Sequence, residues 1–356
     1  MKFHHQGLQR LTQAIFSKAG CDSPEDEQLA VHLVDANLVG HDSHGVIRIP
    51  MYIRWLQEDK VRANRKARVL FESDVISVID GDRGFGQSIC EQAMKLTIEK
   101  VSRHGVSVLA LRNTGHIGRV GEWAAMAAQE GYVALHWVNS SGFGILVAPF
   151  GGTERKLSAN PIAAAVPVEG QAPIVLDIST CTTAEGKLRV ALNQGKTVPP
   201  GSIIDAKGNP TVEPKDFYAD PPGSILTFGG HKGYGLSLLT DILAGALTGS
   251  GCSDPEAEYF VNGMLVILLD PKVFHGDGEA KLGFSDDLKR FVDWVKTSKT
   301  VDPDGEILMP GDVEERTRAD RLEHGIELDD KTWSELLECA ASLGISGDEA
   351  ASLVEV

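Results

Sequence analysis

The chain is expected to be an α/β protein with helical segments at both ends, and three features of its 356 residues lead there. From residue 1 to about 60 apolar side chains recur near a 3.6-residue period, interrupted at Gly20 and Gly40. From about 75, short β-branched runs alternate with helical stretches. Beyond about 300 the pattern is helical again and resembles the first 60 residues, so the two ends are expected to pack together.

Taken in order, the first well-marked helix follows Ser23, a capping residue type, with Pro24 in its first turn, Glu25, Asp26 and Glu27 at its positive end, and Gly40 as its stop. Leu29, Ala30, Leu33, Val34 and Leu38 give it one apolar face. Strands are expected at Val75 to Ile79, Val106 to Leu111, Tyr132 to Val138, Ile174 to Ile178 and Met264 to Leu269. Helices are expected at Gln87 to Arg103, Arg119 to Glu130 and, glycine-spaced and apolar, Tyr234 to Leu247. Charged tail helices follow near Asp312 to His324, Lys331 to Leu343 and Gly347 to Val354. Pro199-Pro200-Gly201 and Asp220-Pro221-Pro222-Gly223 read as surface turns. The chain divides into residues 1–70, helical; 71–300, the α/β region; and 301–356, helical and packing on the N-terminal helices.

A hydrophobic content of 42% supplies a sizeable core. Thirty-four basic against 50 acidic residues give a net charge of −16 with no basic run, which argues against nucleic acid or an anionic membrane as partner. An anionic substrate therefore needs a local positive pocket. Cys21, Cys90, Cys181, Cys252 and Cys339 are odd in number and form no Cys-x-x-Cys pair, so reduced thiols are expected. With no signal-like or membrane-spanning run, the expected compartment is the cytoplasm.

His41-Asp42-Ser43-His44-Gly45-Val46-Ile47-Arg48 follows the helix that Gly40 ends, bringing two imidazoles, a hydroxyl and a guanidinium to one junction. A polar turn between helices is the plain alternative. A metal site is disfavoured because His41, Asp42 and His44 lack a helical His-x-x-x-His pair and an obvious third ligand. Gly115-His116-Ile117-Gly118-Arg119-Val120-Gly121 joins a strand to a helix start, where backbone N–H groups can hold phosphate, yet its glycines lack the Rossmann spacing. Asp177 ends a strand and could orient a histidine or cap a helix. His231-Lys232-Gly233-Tyr234-Gly235 puts two cationic side chains at a helix start. Ser43, His44 and Asp177 could suggest a serine hydrolase, but neighbouring residues such as Ser43 and His44 usually point apart and no Gly-x-Ser-x-Gly elbow exists.

Together with Ala148-Pro149-Phe150-Gly151-Gly152, Asn160-Pro161, Leu176-Asp177, Gly186-Lys187 and Pro310-Gly311, these segments resemble, over nearly the whole chain, the type-2 malate/L-lactate dehydrogenase family, and within it the bacterial hydroxycarboxylate dehydrogenases. The resemblance implies a non-Rossmann fold, a mixed-sheet α/β domain beside a helical domain formed by both chain ends. It also implies a homodimer and NAD or NADP as cofactor, with NAD preferred. Cofactor contacts are implied at His116, Ile117, Gly118, Ser140, Asp177, Ile178, Ser179, His231, Lys232, Gly311 and Asp312. Ala159 stands where many relatives have Thr, and Ser179-Thr180-Cys181 replaces the usual Ala-Thr-Ser.

Reduction of a 2-oxo acid needs a hydride, a proton and a cation for the carboxylate. Nicotinamide supplies the first. His44 is the expected proton donor, with Asp177 orienting it, Ser43 as a relay and Arg48, four positions on, as the carboxylate clamp; His116 is the rival acid. Reduction of a cyclic imino acid, or a binding protein that keeps the pocket without turnover, are the alternatives.

Overall fold

The computed structural model describes residues 1–142, 144–274 and 283–355. Its centre is a seven-stranded mixed sheet. In chain order the strands are β1 (Arg68–Glu72), β2 (Ile76–Asp80), β3 (Val106–Thr114), β4 (Val133–Ser141), β5 (Ile162–Val166), β6 (Ile174–Ile178) and β7 (Val261–Leu269). They lie side by side as β1-β2-β3-β7-β4-β5-β6. Only β2 and β3 pair in parallel; the other neighbours are antiparallel. Interleaving β7 between β3 and β4 excludes the doubly wound order of a Rossmann fold.

Helix α1 spans His5–Lys18, α2 Glu25–Leu38 and α3 Ile49–Gln57. In the α/β region α4 spans Gly86–His104, α5 Val120–Gln129 and α6 His231–Asp241, which runs on into a π-helical turn, Ile242–Ala246. The apolar faces of α4 and α5, including Met94, Val101, Trp123 and Ala127, pack on one side of the sheet against Leu109, Val138 and Val266. Across the sheet Asn139 on β4 reaches Asp241 at the end of α6 at 2.8 Å. A small three-stranded sheet, Ile203–Ile204, Pro210–Thr211 and Ser224–Ile225, carries its own core around Leu188 and Phe217.

The chain ends share one core, as expected. Leu8, Leu11, Leu29, Leu33 and Ile49 pack with Ile326, Leu336, Ala340 and Ala350. Lys2–Phe3 pairs antiparallel with Ile326–Glu327. The late helices are α7 (Phe284–Lys296), α8 (Asp312–His324), α9 (Asp330–Ser342) and α10 (Gly347–Val354).

Three details depart from the expectations. The helical pattern returns at α7, ahead of residue 300; its apolar side chains include the exposed Phe291 and Trp294 rather than a buried stripe. Strands β1 and β5 carry no clear sequence signal, β1 because it is exposed on both faces and β5 because Ala163-Ala164-Ala165 has little β propensity. Ser23 does not cap α2, where Pro24 takes the cap position without a side-chain cap bond and Asp26 Oδ1 accepts from the Glu27 N–H at 2.8 Å.

Candidate functional site

The His41–Arg48 turn is held by its neighbours. Asn37, in the last turn of α2, accepts from the Val46 N–H at 2.9 Å and donates to Asp42 at 2.7 Å. Gly45 passes so close that a Cβ there would lie 2.1 Å from Asn37 Oδ1, so only glycine fits. From α8, Arg321 grips both Asp42 oxygens at 2.6 and 3.0 Å. The turn is two 3₁₀ segments, Asp42–His44 and Val46–Arg48, running into α3. Here Ser43 Oγ lies 3.1 Å from His44 Nδ1, and Arg48 Nε donates to the Ser43 carbonyl at 2.5 Å. Arg48 is half-buried and pairs with no carboxylate among the described residues.

The second histidine arrives from the sheet. After β3, the Ile117 N–H donates to Asn262 Oδ1 at 3.0 Å, while Asn262 Nδ2 donates to Ser140 Oγ at 2.8 Å. This fixes the Gly115–Gly118 turn against β4 and β7 and sets His116 over His44, ring centroids 5.6 Å apart and 14° from parallel. Gln87 Nε2 donates to Tyr52 Oη at 3.1 Å, so the Tyr52 proton goes to His116 Nδ1, 2.6 Å away. The ring proton of His116 then sits on Nε2. Burial, then Arg48, His41 and Arg119, push His44 down to about 3; burial, then Arg48 and His44, hold His116 well below its usual value. Both rings are neutral at pH 7.

Asp177 stands elsewhere than expected. Its Oδ2 accepts from the Gly121 N–H at 2.7 Å, and it makes no hydrogen bond to His44 among the described residues. A Cβ on Gly121 would lie 2.7 Å from that oxygen, which explains the glycine. Burial raises the Asp177 pKa against the pull of His41, the Gly121 N–H and Arg119. Its strand end forms one wall of a groove of about 930 Å³ shared with His41, Arg119, Glu314 and Gly311. Asp312 Oδ2 accepts from the Met309 N–H at 2.8 Å, and Ser179 Oγ donates to the Ala159 carbonyl at 3.2 Å. Ile178 ends β6 opposite Ile162. His231 and Lys232 open α6 in solvent, His231 edge-on to Phe150, and neither lines that groove.

The malate/L-lactate dehydrogenase family pattern matches residues 3–337. The chain belongs to that family. It is similar to hydroxycarboxylate dehydrogenase B of Escherichia coli K12, 38% identical over 97% of this chain and 95% of that one. Among solved structures it resembles sulfolactate dehydrogenase from Methanocaldococcus jannaschii, with a TM-score of 0.87, 32% identity and full coverage of both chains. It also resembles delta1-piperideine-2-carboxylate reductase from Pseudomonas syringae, with a TM-score of 0.81, 31% identity, and 96% and 100% coverage. Like its family, this malate/L-lactate dehydrogenase-type protein is an oxidoreductase of the dehydrogenase class.

A dinucleotide suits the groove of this dehydrogenase. The volume falls within the roughly 300–1,000 Å³ of small-ligand sites. Arg119, buried at its edge, leaves Nε without a partner while its terminal nitrogen reaches Asp35 at 3.2 Å. Helices α5 and α8 both begin beside the groove, α5 with Arg119 at its cap position, α8 with Asp312, Glu314 and Glu315 in its first turn. That pattern suits a phosphate at the first and sugar hydroxyls at the second.

Four residues that complete the site are not marked as functional by the sequence. Tyr52 reads as a buried helix position, Gln87 as an ordinary first-turn residue, Asn262 as a strand residue and Arg119 as part of a helix start. The only local signal is polarity at Asn262, within a run otherwise apolar on both sides.

Proposed function

We propose that this dehydrogenase interconverts a 2-oxo acid and a 2-hydroxy acid with NAD or NADP. One observation carries the reading: in a protein of net charge −16, the half-buried Arg48 has no carboxylate partner among the described residues and stands beside two stacked neutral histidines. A guanidinium so placed suits a substrate carboxylate. Bound NAD(P)H would supply the hydride for C2. Arg119 and the start of α5 would hold its phosphates, with Gly118, Asp177, Gly311 and Asp312 around it. NAD is preferred, because Glu314 and Glu315 disfavour an added phosphate near α8.

His44 is the proposed acid and base. In the free enzyme it is neutral and ready to take the hydroxyl proton of a 2-hydroxy acid. In reduction, a substrate carboxylate on Arg48 offsets the largest charge opposing protonation of His44, second to burial, and so favours uptake from solvent of the proton that His44 donates. Ser43 positions Nδ1, and His116, with its proton on Nε2, donates a hydrogen bond to the carbonyl oxygen.

The protein acts as a homodimer in the cytoplasm. Along α6 and its continuation Leu236, Leu238, Leu239, Ile242 and Leu247 are 38–64% exposed, an apolar row suited to a second copy. Among the described residues no helix is long and apolar enough to cross a membrane. Reduction of a cyclic imino acid is the second reading, favoured by the likeness to the piperideine-carboxylate reductase.

Absorbance of NADH and NADPH with a panel of 2-oxo acids and cyclic imino acids separates these. Turnover of 2-oxo acids is expected; turnover of imino acids alone would replace the first reading by the second, and none at all would leave a binding protein.

A further inference from the structure

The clamp and one wall of the site lie on a single helical face. Arg48, Tyr52 and Trp55 are spaced i, i+4, i+7 along the second 3₁₀ turn and α3. At 1.5 Å per residue the span from Arg48 to Trp55 is about 10 Å. Trp55 stacks on Phe260 with centroids 5.3 Å apart and 29° between planes. Phe260 in turn lies 6.1 Å from the His116 ring, and Tyr52 lies 6.0 Å from Trp55. Leading away from His116, the site is therefore walled by aromatic rings.

Among the described residues the cations around that wall are otherwise engaged or turned away; Lys60, whose backbone N–H donates to the Trp55 carbonyl at 2.8 Å, pairs with Glu58 at 2.7 Å. Arg83 lies 4.0 Å over Tyr259, next to Phe260, and its terminal nitrogens go to the Asp59 carbonyl and carboxylate at 2.6 and 3.0 Å. Arg54 is two positions from Tyr52, so it points from the opposite face of α3 and is exposed. Arg119 and His41 belong to the cofactor side.

We infer that the substrate is a 2-oxo acid with an apolar side chain, aryl or branched alkyl, laid against Trp55 and Phe260, rather than one with a second acidic group. This rests on the proposed 2-oxo acid reading. With the carboxylate on Arg48 and the carbonyl between His44 and His116, the side chain runs along α3 toward Trp55. A second anion there would lose its water with only engaged or outward-turned cations among the described residues in exchange. An aryl ring would gain burial and ring contacts.

The test is kcat/KM with NADH for pyruvate, phenylpyruvate, 4-methyl-2-oxopentanoate, oxaloacetate and sulfopyruvate. Phenylpyruvate and 4-methyl-2-oxopentanoate are expected to exceed oxaloacetate and sulfopyruvate by about tenfold or more. Trp55→Ala, and independently Phe260→Leu, should lower phenylpyruvate kcat/KM about tenfold while pyruvate changes by less than about threefold. A wild-type preference for oxaloacetate or sulfopyruvate overturns the inference, as does an equal loss on pyruvate and phenylpyruvate in whichever variant keeps the wild-type circular dichroism spectrum. Inactivity on all five acids would strike the underlying reading instead, and this inference with it.

Discussion

His32 and His44 stand on neighbouring stretches of the same helix and turn, yet their surroundings drive them in opposite directions. His32, on α2, lies between Glu122 on α5 and Glu91 on α4, its Nδ1 bonded to the first and its Nε2 3.4 Å from the second. Burial alone would lower its pKa, but the Glu122 carboxylate and then Glu91 hold it up at about 9. His44 is lowered first by burial and then by Arg48, His41 and Arg119 around it, and falls to about 3. One ring is a cation at pH 7, tying the helical layer to the α/β layer. The other is neutral at pH 7. Burial lowers both rings, and the sign of the neighbouring charges sets them apart.

Removing the reactive ring is the sharpest challenge to this contrast. His44→Ala should lower kcat by about 10² to 10⁴-fold while leaving the thermal midpoint and cofactor affinity near wild type. A near-normal rate in the folded variant would transfer the role to His116. Next in size, Arg48→Lys gives up the two-pronged grip on a carboxylate and should weaken substrate binding by about 1–3 kcal/mol, read as a raised KM with kcat less affected. An unchanged KM would take Arg48 out of substrate recognition.

His32→Gln tests the other half of the contrast and should cost roughly 2–3 kcal/mol of stability at pH 7, leaving activity at low temperature nearly intact. Because its folded pKa is raised, the stabilisation from His32 is complete below pH 6.5 and is lost as pH climbs through about 9. The thermal midpoint of the wild type should therefore fall between pH 7 and 10 more steeply than that of His32→Gln. Parallel curves would show that His32 is not the cation assigned here. At the acid end His44 and the buried His136, both held at about 3, take up protons only on unfolding, so stability declines as pH drops below 6.5. The smallest effect belongs to Tyr52→Phe. Losing one hydrogen bond of about 1 kcal/mol should cut kcat about fivefold with little change in KM. An equal rise in KM would make Tyr52 a packing residue instead.

Much of the site is legible in local pattern. The His41–Arg48 turn follows a helix whose stop is marked by Gly40, and the Gly115–Gly121 segment joins a strand to a helix, so residue order alone assigns both groups of functional side chains to junctions. Asp177 marks where local pattern stops. A carboxylate at a strand end can serve a histidine or a helix N-terminus, and only the packing of α5 against β6 puts the Gly121 N–H within 2.7 Å. Tyr52 and Gln87 give no local signal because their roles depend on α3 and α4 meeting at His116, and Asn262 gives little because it acts from a strand far along the chain.

The order of residues by itself determined the helices and most strands, the lack of a basic surface and the presence of two histidine-bearing junctions, since periodicity, capping and charge are properties of neighbours along the chain. Tertiary structure alone decided that the junctions stack ring on ring, that Arg48 has no carboxylate partner among the described residues while His32 receives two, and that Asp177 turns to α5. Those outcomes depend on distances across the sheet and between layers, and a pKa or a hydrogen bond responds to separation in space rather than in sequence.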